Sequence, residues 1–396
     1  MGIKDLSKLI AEHAAGAIKE NEMKNYFGRK VAIDASMALY QFMIAVRQEG
    51  DFLTNEAGEV TSHLLGMFHR TIRMVDQGIK PLWVFDGTPP ELKSATLEKR
   101  KERRGDAEKN LEEAKETGGD VEIEKFSRRL VKITKEHNDE AKKLLKLMGI
   151  PFMTAPSEAE AQCAALVRGG VVYATATEDM DALTFASSIL LRHMTFSEAK
   201  KMPIQEFHLA KVLEGFGMTQ DQFIDLCILL GCDYCDKIKG IGPNKAFTLI
   251  KEHGNLEAAL KSLDKKKYQV PEDWPYEAVQ AYFRAPEVAA PADLTFKWEA
   301  PDEAGLIQFL CTEKGFAEER VRKNMEKLKK QKSGPVQGRM EDYFKAIPAS
   351  PKPSTSKDLA KAKLAEDMKN FGTLKNKRKP DAKSPSKPSS AKKAKR

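Results

Sequence analysis

Three short apolar segments that each end in acid place the strongest constraint on how this chain folds. The segments are KVAID (30–34), PLWVFD (81–86) and VVYATATEDMD (171–181), which end in Asp34, in Asp86 and in the pair Asp179 and Asp181. Helical patterns such as residues 60–77 separate them, and this alternation predicts a mainly parallel α/β sheet. Functional groups of such sheets lie beyond the carboxyl ends of the strands. A single Asp at a strand end is ordinary turn chemistry, but three such ends favour a shared site.

Two further acids follow a Pro-Ser pair in APSEAEAQC (155–163). Ser157 is a suitable helix N-cap and Glu160 follows it by three residues, so a capping box is one interpretation. The other is metal ligation by Glu158 and Glu160. In mid-helix the two side chains would diverge by roughly 200°, so both reach one ion only at the first turn of a helix.

The acids together form a candidate metal site of seven carboxylates. They are Asp34, Asp86, Glu158, Glu160, Asp179, Asp181 and, from LLGCDYCD, Asp233. Asp179 and Asp181 face the same side if the backbone there is extended. Converging carboxylates repel unless cations neutralise them, and oxygen-only ligands suit Mg²⁺ or Mn²⁺. Two such ions roughly 4 Å apart promote phosphodiester hydrolysis. The seven scattered histidines offer no ligand pair for zinc.

The charge of the chain is unevenly distributed. Residues 351–396 hold 15 Lys and Arg against 4 Asp and Glu, a net charge of +11, which leaves −3 of the total +8 for residues 1–350. A nucleic-acid interface on the body must therefore consist of local basic patches. The tail predicts disorder and either a nuclear-import signal or a nonspecific polyanion contact. Ser350 and Ser384 precede proline and are candidate phosphorylation sites.

The apolar runs and the cysteines narrow the cellular setting. No segment resembles a signal peptide or a membrane span, and Leu6 breaks a myristoylation pattern at the start of the chain. Five cysteines, an odd number, favour a reducing compartment. The C-x4-C-x2-C spacing of Cys227, Cys232 and Cys235 occurs in one iron–sulfur class, but their apolar surroundings disfavour a cluster.

Residues 90–147 are charged, favour helix and are interrupted at Gly118-Gly119. This pattern predicts two helical arms joined by a mobile tip. A solvated helical hairpin is one interpretation. Lys93, Arg100 and Arg104, however, recur at spacings of seven and four and would line one helix face near Asp86, which favours phosphate contact for Lys93 and Arg100.

Two other segments predict contacts with macromolecules. Residues 204–260 have a helical pattern, and IKGIGPNKAF (238–247) within them predicts a helix–hairpin–helix whose Gly-x-Gly turn lets backbone N–H groups approach a DNA phosphate. In the tail, QGRMEDYF (337–344) places Gln337, Met340, Tyr343 and Phe344 as one short helical turn. Such residues suit a partner's groove, or local collapse onto the body.

Six segments in this order resemble the eukaryotic-type flap endonucleases of the structure-specific 5′-nuclease superfamily, the XPG/RAD family. They are VAIDAS, VFDGTPP, APSEAEAQCAAL, TEDMDALTF, LLGCDYCDKIKGIGPNKA and QGRMEDYF. The resemblance covers about residues 1–345. Two departures are visible: Cys232 stands before Asp233 where Ser is expected, and Tyr343 stands where Phe is commoner. Neither removes a candidate metal ligand.

The resemblance implies a fold and an activity. The fold is α/β, a mixed, mainly parallel PIN-like 5′-nuclease core with a helical arch, a helix–hairpin–helix and a disordered basic tail. The activity is 5′-flap endonuclease with 5′–3′ exonuclease, acting in Okazaki fragment maturation and long-patch base excision repair. Two Mg²⁺ ions, with Mn²⁺ as a substitute, would carry the hydrolysis, and a K⁺ ion would sit at the helix–hairpin–helix.

The resemblance also implies roles for individual residues. One metal ion would be held by Asp34, Asp86, Glu158 and Glu160, and the second by Asp179, Asp181 and Asp233. Lys93 and Arg100 would hold the scissile phosphate. The DNA contacts would come from Tyr40, which stacks on an unpaired nucleotide, and from Arg47, Arg70, Glu158, Gly231, Asp233, Gly240 and Gly242. Simpler interpretations remain for Tyr40, a buried tyrosine, and for Arg47 and Arg70, ordinary surface arginines.

The expected partners are branched DNA with a 5′ flap, the replication sliding clamp (PCNA) and the nuclear import machinery, with no membrane. The clamp would dock on Gln337, Met340, Tyr343 and Phe344, with as many as three nuclease monomers per clamp trimer. The expected location is the nucleus, in nucleoplasm and nucleolus, with a mitochondrial fraction.

The expected organisation follows the same resemblance. Its regions are an N-terminal nuclease region (1–104), the arch (90–135), an internal nuclease region (122–253) with the helix–hairpin–helix at about 235–250, the C-terminal part of the body (254–333), the clamp peptide (337–344) and the tail (345–396). The alternatives are a sister 5′ nuclease (an exonuclease, a junction resolvase or a bubble-cutting enzyme), a catalytically silent clamp-bound scaffold, and a PIN-type ribonuclease.

Overall fold

The structure is a computed structural model that describes residues 2–48, 51–55, 58–117, 119–264 and 266–333. The predicted clamp peptide, with Gln337, Met340, Tyr343 and Phe344, and the basic tail lie outside these residues. Within the described part of the chain, no helix is both long and apolar enough to cross a membrane.

The described residues contain nine strands, seven of them in one sheet. The strands are β1 (Ile18–Asn21), β2 (Lys30–Asp34), β3 (Arg47–Gln48), β4 (Asp51–Phe52), β5 (Lys80–Phe85), β6 (Phe152–Thr154), β7 (Ala174–Ala176), β8 (Ile189–Arg192) and β9 (Ile204–His208). The sheet has the order β1-β9-β8-β7-β2-β5-β6, and β3 pairs with β4 separately. Strands β8, β7, β2, β5 and β6 are parallel, whereas β9 is antiparallel to β1 and β8. The predicted mixed, mainly parallel sheet is confirmed.

The described residues also contain fifteen α-helices. They are α1 (Leu6–His13), α2 (Ala35–Ala45), α3 (Ser62–Asp76), α4 (Ser94–Thr117), α5 (Asp120–Arg129), α6 (Lys135–Leu147), α7 (Ala159–Arg168), α8 (Asp181–Thr184), α9 (Leu209–Phe216), α10 (Gln220–Leu230), α11 (Pro243–His253), α12 (Leu256–Ser262), α13 (Tyr276–Arg284), α14 (Glu303–Leu306) and α15 (Glu318–Ser333). A π-helical segment, Ile307–Glu313, continues α14.

Both faces of the central strands are buried, which explains why the predicted strands are continuously apolar. Val31, Ile33 and Trp83 point into a core shared with α2, α3 and α6. The alternate residues Ala32 and Leu82 point to the opposite face, where α7 packs. Adjacent strand residues must face opposite sides, so the two helical layers fix the register of β2 and β5.

The helical arms are interrupted where the sequence predicts. Helix α4 ends at Thr117 and α5 begins at Asp120, so the Gly118-Gly119 dipeptide separates them. The helical prediction for residues 204–260 is wrong at its start, because Ile204–His208 forms β9. This strand pairs with two neighbours, β1 and β8, and that pairing outweighs the local helical pattern.

The end of β5 is joined to the loop before α7 by backbone hydrogen bonds. The Gly87 N–H donates to the Ser157 carbonyl at 2.7 Å, and the Thr88 N–H donates to the Pro156 carbonyl at 3.1 Å. A Cβ on Gly87 would lie 2.0 Å from the carbonyl oxygen of Ala155 and 2.4 Å from that of Pro156. Only glycine permits this approach, which fixes the loop that carries Glu158.

Gly87→Ala is therefore expected to destabilise the protein by about 1–3 kcal/mol, because backbone atoms must move to admit the methyl group. It should also weaken the thermal stabilisation given by Mg²⁺ or Mn²⁺, since the moved loop carries a candidate ligand. Thermal unfolding with and without the ion measures both effects. Gly16→Ala is the control, because nothing lies within 4 Å of the added Cβ. Equal melting temperatures for the two variants would contradict the packing argument.

Candidate active site

The carboxyl ends of three neighbouring strands bring the predicted acids to one edge of the sheet. Strand β2 lies between β5 and β7. Asp34 is the last residue of β2, Asp86 follows β5 directly, and the loop from Thr177 to Asp181 follows β7. The parallel direction of these strands is the reason that acids far apart in sequence meet.

Asp34 is held by two hydrogen bonds. Its Oδ1 accepts from the Met37 N–H at 2.9 Å, so the carboxylate caps the N-terminus of α2. Its Oδ2 accepts from the Thr177 hydroxyl at 3.0 Å. The Thr177 Oγ1 in turn accepts from the Asp179 N–H at 3.1 Å, which links the ends of β2 and β7.

The loop after β7 positions Asp179 and Asp181. The Asp181 N–H donates to Asp179 Oδ1 at 2.9 Å, and Asp181 begins α8. The extended geometry predicted for this pair is therefore wrong; a tight turn holds it instead. The Ile3 N–H donates to Asp181 Oδ1 at 2.9 Å, so the start of the chain also lies against this loop.

The predicted capping box at Ser157 and Glu160 is wrong. The N-cap of α7 is Glu158, and the Ser157 hydroxyl lies 3.3 Å from the Tyr282 hydroxyl. Asp86 supplies the missing cap, because its Oδ1 accepts from the Ala159 N–H at 2.9 Å. Oxygens of Asp86, Glu158 and Glu160 lie within 4.8 Å of one another. The start of α7 thus directs both glutamates to one place, as metal ligation requires.

Two cations from the base of the helical arms reach the acids. Lys93 Nζ bonds Glu158 Oε2 and lies 3.9 Å from Asp233 Oδ2. Arg100 Nη2 donates to the same Asp233 oxygen at 2.5 Å. Burial alone would lower the pKa of Lys93, but Glu158 and Glu160 raise it above its ordinary value. Lys93 therefore stays protonated among the acids.

The acids themselves resist ionisation in the absence of further cations. Burial, with the nearby charge of Asp86, raises the pKa of Asp34 to about 8. Burial also raises the pKa of Glu160 well above its usual range, reinforced by Asp34 and Asp86. Burial and Asp179 do the same to Asp181. The cause is like charge in a region of little water, which additional cations would relieve.

The donor set fits hard divalent cations. All seven candidate ligands are carboxylates, and Asp34, Glu158, Asp179 and Asp181 are buried. Buried carboxylates without matching positive charge are costly, and Lys93 and Arg100 supply the only two ion-pairing cations found at these acids in the described residues. Asp86, Glu158 and Glu160, whose oxygens lie closest, would hold one ion together with Asp34, which Asp86 repels. Asp179, Asp181 and Asp233, which also repel one another, would hold the other.

A cavity of about 1050 Å³ lies between this cluster and the helical arms, and its lining holds six cations and six acids. The predicted Tyr40 is half-buried and lines it, rather than being a core residue. The lining cations are Lys93, Arg100, Arg103, Arg104, Arg129 and Lys132. The sequence did not point to Arg103, Arg129 or Lys132 as site residues. Arg129 and Lys132 come close to the first arm only because the chain reverses direction between the two arms. The many charged residues of the arms were the one feature of the sequence that could have indicated them.

Of the remaining predicted DNA contacts, Gly231 lies near Asp233 and lines a cavity with it, whereas Arg47 and Arg70 lie on other elements. Arg70 on α3 donates from Nε to the Thr195 carbonyl at 2.9 Å, and nothing places it at the acidic cluster. Arg47 lies in β3. Gly231 ends α10, with a φ of 102° that favours glycine. For all three, DNA contact stays a prediction.

The predicted hairpin joins two helices. Its loop runs from residue 231 to residue 242, between α10 and α11, and Gly242 is the N-cap of α11. Ile238 and Ile241 are buried, whereas Gly240 and Gly242 are exposed. Gly240 has a φ of 84°, which side chains rarely adopt. The apolar residues therefore anchor the turn and leave its glycine backbone open to a ligand.

Comparisons with known proteins identify related domains. Residues 1–107 match the XPG N-terminal domain, and residues 149–233 match the XPG I-region. Flap endonuclease 1 of Nematostella vectensis is 58% identical over 369 residues, which is 93% of this chain and 97% of that protein.

Two solved structures are similar in fold. Flap endonuclease-1 from Methanococcus jannaschii has a TM-score of 0.62 and 34% identity, covering 79% of this chain and 96% of its own. The catalytic core of Rad2 in complex with a DNA substrate has a TM-score of 0.64 and 28% identity, covering 81% of this chain and 98% of its own.

Asp181→Asn is expected to stabilise the metal-free protein at pH 8 by about 1–3 kcal/mol, because it removes one charge yet keeps the oxygen that accepts from Ile3. The raised folded pKa of Asp181 lies above its unfolded value near 3.9. The protonated carboxyl of Asp181 therefore stabilises the folded protein fully below about pH 3.9. This stabilisation is lost as the pH rises through the folded pKa.

Urea unfolding in EDTA at pH 5, 6.5 and 8 measures this effect. The advantage of Asp181→Asn should grow as the pH rises, and the variant should gain less stability from Mg²⁺. Asp273→Asn is the control, since Asp273 is an exposed acid away from the cluster. A variant no more stable than the parent at pH 8 would argue against repulsion within the cluster.

Proposed function

The chain belongs to the flap endonuclease family, and on that premise we propose that it hydrolyses branched DNA at the base of 5′ flaps, using two Mg²⁺ ions. It is a DNA nuclease of the XPG type. One observation carries the proposal: seven carboxylates from the ends of β2, β5 and β7, the start of α7 and the loop after α10 repel one another, and five of them line a cavity beneath the helical arms. Such repulsion costs stability, and bound cations would relieve it.

The residues of the cluster have distinct tasks in this proposal. Asp34, Asp86, Glu158 and Glu160 would hold one ion and Asp179, Asp181 and Asp233 the other, with Mn²⁺ as a substitute. When bound, the two ions activate water and stabilise the leaving oxygen of the phosphodiester. Asp34, bonded to both Met37 and Thr177, keeps the ends of β2 and β7 in register.

Lys93 and Arg100 act on the phosphate. Both line the cavity, and each pairs with a carboxylate that is also a candidate metal ligand. With Glu158 and Asp233 engaged as metal ligands, Lys93 and Arg100 would be available to the scissile phosphate. There they stabilise negative charge that develops in the transition state.

Other surfaces position the DNA. Tyr40 stacks on an unpaired base at the mouth of the cavity. The exposed backbone of Gly240 and Gly242 contacts a duplex phosphate, with a K⁺ ion held by carbonyls of the turn. Arg47 and Arg70 contact the duplex, and the cations that line the cavity take the 5′ strand.

The first test compares labelled 5′-flap, bubble, four-way-junction, nicked-duplex and single-stranded substrates in Mg²⁺ and in EDTA. The expected result is Mg²⁺-dependent cleavage at the base of the 5′ flap, with slower 5′–3′ degradation at the nick. Asp181→Asn should lose at least about 100-fold in cleavage rate, because a ligand charge is missing, while it still binds the flap substrate.

Other outcomes decide between the alternatives. Preferential cutting of the junction or the bubble would assign a sister activity within the superfamily. DNA binding without any cleavage would assign a clamp-bound scaffold. Preference for an RNA strand would favour the PIN-type ribonuclease.

We further propose roles in Okazaki fragment maturation and long-patch base excision repair, at a sliding clamp. Gln337, Met340, Tyr343 and Phe344 form the clamp-binding peptide, and as many as three monomers occupy one clamp trimer. The basic tail directs the protein to the nucleus through the import machinery, with a fraction in mitochondria. The support for these proposals is the sequence of residues 337–396.

Phe344→Ala is expected to abolish stimulation of flap cleavage by the clamp, because the aromatic pair supplies most of the apolar contact. Basal cleavage without the clamp should persist. Cleavage rates with and without clamp measure both, and Phe371→Ala, another aromatic substitution in the basic tail, is the control. Loss of basal activity in Phe344→Ala alone would contradict a purely clamp-binding role.

A further inference from the structure

Two cysteines flank the candidate ligand Asp233. The sulfur atoms of Cys232 and Cys235 lie 3.7 Å apart. Both residues are half-buried and line a cavity of about 1240 Å³ that Asp233 and Arg100 also line. The other three cysteines differ: Cys163 and Cys227 are fully buried, and Cys311 lies on the π-helical segment far along the chain.

The loop that carries the two thiols has the geometry to close. Residues 231–236 follow α10 without helix or strand, so no backbone ladder opposes a local change. A disulfide bond is about 2.05 Å long, so the sulfur atoms need to approach by roughly 1.6 Å. Between them, Tyr234 is buried against Phe185 and Phe283. Because neighbouring rings hold Tyr234 in place, we expect closure of the bond to shift the adjacent Asp233 instead.

We propose that Cys232 and Cys235 form a reversible disulfide when the protein meets a hydroperoxide, and that the bond withdraws Asp233 from the acidic cluster and suppresses cleavage. The second half of this proposal rests on the proposed function, in which Asp233 holds a metal ion. The site requires both a cysteine directly before Asp233 and one two residues after it, and this chain has both.

The chemistry balances with the peroxide as oxidant. With hydrogen peroxide, one thiol sulfur attacks an oxygen, the O–O bond breaks, and a sulfenic acid and one water form; with an organic hydroperoxide the second product is the alcohol. The second sulfur attacks the first, the S–O bond breaks, and the hydroxyl leaves as a second water. The two thiols lose two electrons and two protons in total, and the peroxide accepts them. A dithiol reductant reverses the reaction by exchange.

The mutual hydrogen bond and burial raise the pKa of the Cys232 thiol, which slows the first attack at neutral pH. The oxidation therefore needs a time course rather than a single early point. Metal ions should be removed with EDTA beforehand, so that they do not hold Asp233 in place.

The experiment treats the full-length protein with hydrogen peroxide, removes the peroxide with catalase, alkylates free thiols under denaturing conditions and measures peptide mass. The tryptic peptide 212–237 contains Cys227, Cys232 and Cys235. It should lose two hydrogens and carry a single alkyl group, which fragmentation must place on Cys227. Cleavage of the 5′ flap should fall by about tenfold or more and return with dithiothreitol.

Three serine variants distinguish oxidation of Cys232 and Cys235 from oxidation elsewhere in the protein. Cys232→Ser and Cys235→Ser should each resist the loss of cleavage, whereas Cys311→Ser should respond like the parent. Absence of the two-hydrogen loss would overturn the proposal, and so would a disulfide that leaves cleavage unchanged. An equal loss of cleavage in Cys232→Ser would also overturn it.

Failure of the proposed function gives a different pattern. The reduced parent would then cleave no flap substrate. The peptide mass would still decide whether the disulfide forms. Thermal stabilisation by Mn²⁺, compared between reduced and oxidised protein, would decide whether it disturbs the acidic cluster.

Discussion

Mutual repulsion among seven carboxylates at one sheet edge is the constraint on which the rest of this structure depends. Parallel strands bring the acids together, and short hydrogen-bonded loops keep them there against their own charge. Raised pKa values at Asp34, Glu160 and Asp181 record the cost of that arrangement. The fold bears this cost because three apolar clusters, two of which cover opposite faces of the central strands, hold the described residues together.

Much of this arrangement can be predicted from the sequence, because it depends on the pattern of apolar residues along each strand and on the parallel direction of the strands. Within β2 and β5 the residues 31–33 and 81–85 are all apolar, and strands buried on both faces require that pattern. Acids at their ends then converge by topology. The shorter strands escaped prediction: β6 has three residues, and β9 carries a helical pattern that pairing with β1 and β8 overrides. When pairing with neighbouring strands stabilises a strand, its own sequence need not show a strand pattern.

The sequence predicted that the acids approach one another, but not the contacts that hold them. A local rule assigned Ser157 as the cap of α7, yet Asp86, more than seventy residues earlier, makes that bond. Pairing of Lys93 with Glu158 and of Arg100 with Asp233 also joins distant segments. No periodicity encodes such pairs. The short distance between the two sulfur atoms beside Asp233 was also not predictable from sequence. The spacing of the cysteines suggested only an iron–sulfur cluster, which their apolar surroundings disfavour.

Asp34 and Asp86 each serve two purposes, because the oxygen of each that faces a helix N-terminus caps that helix. Glu160 and Asp233 carry no such duty in the described structure. A lineage that abandoned catalysis while keeping the fold would therefore shed its acids unevenly. Glu160 and Asp233 would be free to drift, whereas Asp34 and Asp86 would persist or change only to Asn or Ser, which also cap helices. An inactive descendant could thus retain part of the acidic cluster. Its retained aspartates would then indicate a role in folding rather than nuclease activity.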